Sequence, residues 1–322
     1  MLRFLFWRLV QSLAVLWIVY TVTFVLLMAA PGDPFIGDKK PPEAVRHALA
    51  KRYGLEYLEF SPEQRALLTS GQRAAYIVEA YALYLGNALH FDLGPTISYE
   101  NWSVRDVIVT SLPVSVALGT LSLLLALWGG VIAGTLGAIF KGRAPDLALT
   151  VLTLLGVSLP TFVTGTFLLM FFAVVIPILP SSGWGTLAQL ILPAITLALF
   201  FLAYVARLTR VSVLDVLSAD FIRTARAKGL APYQVIGHHV LSNAGLPILS
   251  FLGPAAATVL TGSFVVEKLF AIPGLGQHFV NGCLNNDIPL VLGAVLVYTA
   301  LIVFFNLLVD IAYAFVDPRV SL

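Results

Sequence analysis

The sequence predicts an all-α membrane protein with six transmembrane helices. Hydrophobic residues make up 59% of the 322-residue chain and charged residues only 11%, and the mean hydropathy is +0.91. A soluble domain carries roughly 25% charged residues, so this chain lacks the polar groups to cover a soluble globule. One cysteine, Cys283, and a net charge of +2 also exclude a disulfide scaffold and a nucleic-acid-binding protein.

Six apolar runs are long enough for helices that cross about 30 Å of hydrocarbon. The first is expected to be a retained anchor rather than a signal peptide, because it exceeds the roughly 7–15 apolar residues of a signal peptide and lacks a clear cleavage site. The fourth is expected to end abruptly at Arg207 and Arg210. In chain order the runs are about 9–30, 109–140, 146–176, 191–206, 246–266 and 290–316.

Proline and glycine in the second and third runs predict bends or close helix contacts. Pro160 removes a backbone hydrogen bond from the third run. Gly129, Gly130 and Gly134 could bend the second run, although the Gly130-x-x-x-Gly134 spacing also permits close packing against another helix. Two tilted, kinked spans fit these residues better than four short ones.

Basic residues predict that both termini are cytoplasmic. The predicted inner pieces carry ten Lys or Arg residues, whereas the two short outer loops carry only Lys268. The predicted organisation is a cytoplasmic N-terminus with the first span (1–30), an extracytoplasmic helical segment (31–108) and a membrane core (109–322). The core includes a cytoplasmic loop, 207–245.

The outer segment is the longer of two polar stretches. It carries eight basic and ten acidic residues and has helix-compatible runs at about 43–53 and 73–90. We expect a small cap that packs on the chain's own spans. A docking surface for an external partner remains the alternative, since it too would need a rigid cap.

The inner loop predicts a short amphipathic helix. Asp220 can cap the helix, Phe221, Ile222 and Ala225 form its apolar stripe, and Gly229 suits its end. A helix of this kind can lie in a groove of another protein or rest on anionic lipid, and the pattern alone leaves both open.

The sequence contains no phosphate-binding loop, no metal-spaced His/Cys cluster and no hydrolytic triad. His238 and His239 come nearest to candidates for chemistry, but in a basic loop we expect structural or partner-facing roles. Pro160, Asn306 and Asp310 are candidates for helix packing or for the transport pathway. For Asp310, with Asn306 one turn away, helix packing is the preferred interpretation.

The inner loop resembles the EAA loop of ABC-importer permeases in its peptide/nickel-family form. The matching residues are Phe221, Ile222, Arg223, Thr224, Ala225, Arg226, Ala227, Lys228 and Gly229. Further matches follow along the whole chain: Ala30-Pro31-Gly32-Asp33-Pro34, Asp92-Leu93-Gly94, Ser111-Leu112-Pro113-Val114-Ser115, Arg207-Leu208-Thr209-Arg210, Glu267 with Phe270, Pro273-Gly274-Leu275-Gly276, and Asp317-Pro318-Arg319. Arg223 replaces the glutamate that names the motif, as is usual in the peptide subfamily, and the outer segment around 54–73 is longer than in typical members.

The resemblance implies the type I ABC importer permease fold and a subunit of the bacterial inner (plasma) membrane that has no ATPase of its own. ATP and magnesium would be bound by two partner ATPase subunits, so no cofactor is expected in this chain. A second, homologous permease, a substrate-binding protein outside the membrane and membrane lipid complete the implied partners, without nucleic acid.

Residues 221–229 would dock on the ATPase, with Phe221 and Ala225 as buried anchors. Peptides are the implied cargo, and nickel chelates, glutathione or sugars are the alternatives within the family. Outside the family, a secondary transporter driven by an ion gradient or a structural membrane scaffold would share the composition, but no midplane charges or internal repeat favour the former.

Overall fold

The computed structural model describes residues 2–29, 67–99, 102–260 and 263–316, with residues 50, 51, 56, 60 and 64. The regular structure in these ranges is helical, apart from one isolated bridge between Pro95 and Ser103. Of the predicted helix at 43–53, only residues 50 and 51 are described, and both are helical. The family motifs at 30–34 and 317–319 lie outside the described residues. The helices are α1 (Leu2–Ala29), α2 (Ser70–Leu89), α3 (Val104–Ile139), α4 (Ala144–Ser158), α5 (Thr161–Leu169), α6 (Leu187–Leu217), α7 (Asp220–Ala227), α8 (Pro232–Leu260), α9 (Phe264–Leu269), α10 (Leu275–Leu284) and α11 (Ile288–Val316).

The helical membrane fold is confirmed. Within the described residues, α1, α3, α6, α8 and α11 are each long and apolar enough to span a bilayer. A sixth span is formed if α4 and α5, the latter extended by a π-helical turn at Met170–Val175, act as one broken helix. The six-span count therefore agrees with the structure.

The predicted break in the third span is confirmed at Pro160. Helix α4 ends at Ser158, Leu159 is extended, and Pro160 stands immediately before α5. The helix axis bends by 109° across this break. A proline without an N–H group begins a new helix here instead of continuing the old one.

The predicted limits of the fourth and fifth spans were wrong. Helix α6 continues past Arg207 and Arg210 to Leu217, because its buried apolar face continues through Val213 and the ends of long arginine side chains can reach polar surroundings. Helix α8 starts at Pro232, ahead of the expected residue 246, and ends at Leu260. The predicted loop 267–289 contains the end of α9 and all of α10.

The described residues divide into two compact units. The first comprises residues 2–114 and 273–300, and the second comprises 115–272 and 301–316. Helices α3 and α11 each contribute to both units.

In the first unit, α2 packs against α1 and the start of α11. Tyr20 and Phe24 of α1 are buried with Ala80 and Tyr84 of α2 and with Leu292 of α11. This packing confirms, for α2, the expectation that the outer segment rests on the chain's own spans.

A buried carboxylate fastens the loop that precedes α3. Asp287 accepts hydrogen bonds from the Thr96 hydroxyl and from the backbone N–H groups of Ile97 and Ser98, the latter two at 2.9 and 2.8 Å. It also accepts one from the N–H of Leu290 in the first turn of α11, at 3.1 Å. These four donors compensate the burial of the carboxylate, which links the loop before α3 to the first turn of α11.

In the second unit, the predicted Gly-x-x-x-Gly contact is confirmed. A Cβ atom added at Gly130 would lie 2.7 Å from the Val205 side chain of α6, and one at Gly134 would lie 2.7 Å from Cβ of Thr209. Helix α3 continues without a break through both glycines, which allow close packing on α6.

Candidate functional site

Helix α7 is a short surface helix in the second unit, and its ends are set by backbone geometry. Its last turn closes with hydrogen bonds from the N–H of Gly229 to the carbonyl of Arg226 and from the N–H of Leu230 to the carbonyl of Ala225. Gly229 has a φ of +78°, so this glycine terminates the helix as predicted.

The start of α7 differs from the prediction. Ala219 precedes the helix without a side-chain cap, and Asp220 is its first helical residue. Asp220 still favours this end, because a carboxylate in the first turn interacts well with the free N–H groups. Its 3.5 Å ion pair with Arg223 involves two highly exposed side chains and contributes little stability.

The two faces of α7 have different roles in packing. Ile222 is completely buried and Ala225 is 6% exposed. They share a core cluster with Ala138 of α3, Val213 of α6, and Val235, Val240 and Ala244 of α8. The inner face of α7 is therefore packed against three spanning helices of the same chain.

The outer face of α7 is exposed and basic. Phe221 is 46% exposed, and the other exposed residues are Arg223, Thr224, Arg226, Ala227 and Lys228. The expected anchor role of Ala225 is corrected, because this residue is buried in the chain's own core and cannot also be buried in a partner. Phe221 remains available for such a contact.

Other predicted site residues lie elsewhere. Pro160 is exposed at the break between α4 and α5, and Asn306 and Asp310 lie one turn apart on α11. His238 is exposed and His239 half-buried in the π-helical turn of α8. No group of three or more His, Cys, Asp or Glu residues in the described ranges could hold a metal ion.

An ion pair that the sequence did not reveal lies beside the turn between α3 and α4. Nε and one Nη of Arg210 donate to the two carboxylate oxygens of Asp146 at 2.6 and 2.9 Å. The N–H of Gly142 donates to the same carboxylate at 2.8 Å. An acid in the first turn of an apolar helix can be compensated by free N–H groups or by a cation, and the sequence does not identify which.

Helix α8 has an exposed face unlike those of the other spans. Asn243, Pro247, Ser250, Pro254 and Thr258 are exposed and recur every three or four residues, which places them on one side of the helix. Within residues 241–260 of α8, Leu249 is the one large hydrophobic residue that is exposed, whereas α4 exposes Leu147, Val151, Leu152, Leu154 and Leu155.

The acceptors on this face outnumber its donors. Pro247 and Pro254 lack N–H groups, so the carbonyls of Asn243 and Ser250 lose their usual helical donors. The Ser250 hydroxyl donates a hydrogen bond to the carbonyl of Leu246 at 2.9 Å. The Asn243 amide donates one to the carbonyl of His239 at 2.7 Å. Carbonyl and side-chain oxygens are thus the groups that this face offers to a ligand.

These helices define the class of the molecule, a multispanning helical membrane protein with the fold of a type I ABC importer permease. A solved chain of the MetNI methionine ABC transporter, in inward-facing conformations, shares the fold with a TM-score of 0.52 and 18% identity. The match covers 66% of the present chain and 97% of that one.

Sequence relatives match over nearly the full length. The chain is 39% identical to the oligopeptide transport system permease protein OppB of Haemophilus influenzae over 99% of both chains. It is 38% identical to OppB of Escherichia coli K12 over 99% of both chains. It is 36% identical to the dipeptide transport system permease protein DppB of Bacillus subtilis over 100% of this chain and 99% of that protein.

Residues 126–322 match the family described as binding-protein-dependent transport system inner membrane component. The chain belongs to this family. It is therefore a multi-pass protein of the inner membrane, and its family works with substrate-binding proteins and ATPases.

Proposed function

We propose that this chain is the permease subunit of an ATP-driven importer for di- or oligopeptides. The observation that carries the proposal is the full-length similarity to relatives named as oligopeptide and dipeptide permeases. In this proposal a substrate-binding protein delivers the peptide, a second permease completes the pathway, and two ATPase subunits bind ATP and magnesium. Both termini of the present chain lie in the cytoplasm, and the chain itself catalyses no reaction.

Uptake by the complete complex in proteoliposomes tests both cargo and energy source. Labelled tripeptide should enter only when ATP is present on the side of the membrane that carries the ATPase subunits. Unlabelled di- and oligopeptides should compete with it for uptake. Uptake driven by a proton or sodium gradient without ATP would overturn the importer class. Competition by nickel chelates, glutathione or sugars, without competition by peptides, would overturn the cargo.

Helix α7 would couple the ATPase to the membrane spans. Its exposed face, with Phe221 and the basic residues around it, would dock in a groove of the ATPase. Its inner face packs on α3, α6 and α8 through Ile222 and Ala225, so a displacement of α7 is transmitted to three spans at once. ATP binding would then favour one orientation of the gate by stabilising one position of α7.

The variant Phe221→Ala tests this docking. The ring is half exposed in the free chain, and burial in a partner would make it an anchor whose loss typically weakens binding by more than 1 kcal/mol, or about fivefold or more. Phe162→Ala is the matched control, because Phe162 is 57% exposed at the start of α5. Equal ATPase affinity for Phe221→Ala and the control would exclude Phe221 as the anchor.

The acceptor-rich face of α8 would form part of the peptide pathway. A span with freed carbonyls is tolerated where it borders protein or water but not where it faces lipid. A peptide brings backbone N–H groups and an ammonium group, which are donors, and these complement the oxygens around Pro247 and Ser250. Because every peptide carries these groups, such a face would accept peptides of different sequence.

Cysteine labelling tests the pathway. Cys283 is the only cysteine, so Ser250→Cys can be introduced after Cys283→Ser. A charged, water-soluble thiol reagent should label Ser250→Cys in the assembled complex, and saturating peptide should slow the labelling. Val151→Cys, on the exposed apolar face of α4, is the control and should stay unlabelled. If both positions label equally, or if peptide has no effect at residue 250, the α8 face does not line the pathway.

A further inference from the structure

A cavity of about 280 Å³ lies between α3, α4 and α6 in the second unit. Its lining includes Gly134 of α3, Thr150, Thr153 and Leu154 of α4, and Arg207 and Arg210 of α6. One part of the wall therefore carries guanidinium and hydroxyl groups, and the rest is apolar.

The two arginines of this cavity are not equivalent. Arg210 makes the two-pronged ion pair with Asp146, so its charge is compensated. Arg207 is exposed and forms no ion pair with any carboxylate in the described part of the chain. The cavity consequently carries a net positive charge, located at Arg207.

The surroundings of Arg207 indicate which anion would compensate it. Leu154 and Val211 line the same cavity and are 52% and 50% exposed. On a spanning helix, exposed leucine and valine side chains are typical of a surface that meets acyl chains. Arginine is costly beside hydrocarbon unless an anion or water reaches it, so an anion that itself carries acyl chains fits both parts of the wall.

Further positive charge lies close to the cavity. Lys141 and Arg143 are exposed in the turn between α3 and α4, and Asp146 and Gly142 connect this turn to Arg210. Basic pockets between spans at the cytoplasmic side are suited to acidic headgroups, because that leaflet is rich in anionic lipid. A guanidinium group can bind a phosphate through two parallel hydrogen bonds.

From this arrangement we infer that the cavity between α3, α4 and α6 binds the phosphate of an anionic phospholipid through Arg207. The acyl chains lie along Leu154, on the side of Arg207 away from the turn between α3 and α4. The Thr150 and Thr153 hydroxyls donate to the carbonyls of Asp146 and Thr150 within α4, so Arg207 is the group that donates to the phosphate. Arg207 lies on α6, which is followed directly by α7. A lipid bound at Arg207 therefore contacts the helix next to the proposed coupling helix.

Lipid binding to the full-length chain in detergent tests the inference without any transport measurement. Native mass spectrometry would compare phosphatidylglycerol with phosphatidylcholine for wild type, Arg207→Gln and Arg207→Lys. A hydrogen bond between charged groups contributes about tenfold or more to affinity, so Arg207→Gln should lower phosphatidylglycerol affinity about tenfold. Arg207→Lys should retain part of the affinity, because it keeps the charge but loses the planar fork.

Arg143→Gln is the matched control, because Arg143 is an exposed arginine of the neighbouring turn that does not line the cavity. It should leave phosphatidylglycerol affinity within twofold of wild type. An equal loss in Arg143→Gln and Arg207→Gln would overturn the site in favour of general surface attraction, and so would equal binding of phosphatidylcholine. Displacement of phosphatidylglycerol by millimolar inorganic phosphate would show a free-phosphate site and overturn the lipid assignment.

Discussion

Gly134 lets α3 approach the backbone of α6 closely, and Gly134→Ala is expected to force these helices apart. The added Cβ would lie 2.7 Å from Cβ of Thr209 and 3.0 Å from the backbone N of Arg210, and it would also overlap the carbonyl oxygen of Ala206. Carbon atoms normally rest about 3.5–4.0 Å apart, so the helices must separate by about 1 Å. Because two of the three atoms are backbone, no side-chain rotation relieves the overlap.

The expected loss of stability in Gly134→Ala follows from the cost of overpacking, and a control variant in the same unit isolates it. Overpacking of this kind typically costs about 1–3 kcal/mol. Gly245→Ala adds the same methyl group to α8 with no atom within 4 Å, so both variants share the gain of about 0.5–1 kcal/mol from replacing glycine in a helix. The difference between the variants therefore isolates the steric cost.

Unfolding of the purified chain in mixed micelles by increasing sodium dodecyl sulfate measures this difference. We expect the unfolding free energy of Gly134→Ala to be about 1–3 kcal/mol lower than that of Gly245→Ala, and that of Gly134→Leu to be lower still. If Gly134→Ala and Gly245→Ala unfold at the same detergent fraction, the close contact between α3 and α6 is refuted.

Three further predictions use the same unfolding measurement. Ile222→Ala should lower the unfolding free energy by about 2–5 kcal/mol because the side chain is completely buried, whereas Phe221→Ala should lower it by clearly less because its side chain is 46% exposed; equal effects would contradict the two-faced packing of α7. Asp146→Asn should lower the unfolding free energy, because it removes the charge that the Arg210 guanidinium contacts through two hydrogen bonds, and a wild-type transition would show that this pair contributes nothing. Burial lowers the pKa of His278 in the folded protein, so the unfolded chain binds more protons below about pH 6.5 and the unfolding free energy should fall there; His278→Gln should remove this dependence, and an unchanged pH profile in that variant would assign it to other groups.

Much of the fold was readable from the sequence because the bilayer imposes a simple requirement on it. Runs of about 20 apolar residues predict spanning helices whatever their neighbours are, and the break at Pro160 follows from the missing N–H group. The sequence did not predict the ends of the helices correctly, since α6 continues past Arg207 and Arg210. A charged side chain near the end of a span can be compensated by a residue far away in sequence, and here Asp146 does so for Arg210.

For α7 as well, the sequence determined some features and the tertiary structure determined others. Its residue types, the glycine that ends the helix and the family resemblance were all available in the sequence. Amphipathic spacing could not say which apolar residues of α7 face the chain's own core, because Phe221 and Ile222 are adjacent and both are hydrophobic. Packing against Val213 and Val240 decided it in favour of Ile222.

The sequence by itself determined that this protein is a helical membrane permease and where its recognition segments lie, because hydropathy, turn residues and local motifs act over short stretches of chain. Only the tertiary structure decided which residues meet across those stretches. It paired Arg210 with Asp146, left Arg207 uncompensated in an amphipathic cavity, and set Gly134 against α6. Such contacts depend on how helices distant in sequence pack side by side, and a one-dimensional pattern does not carry that information.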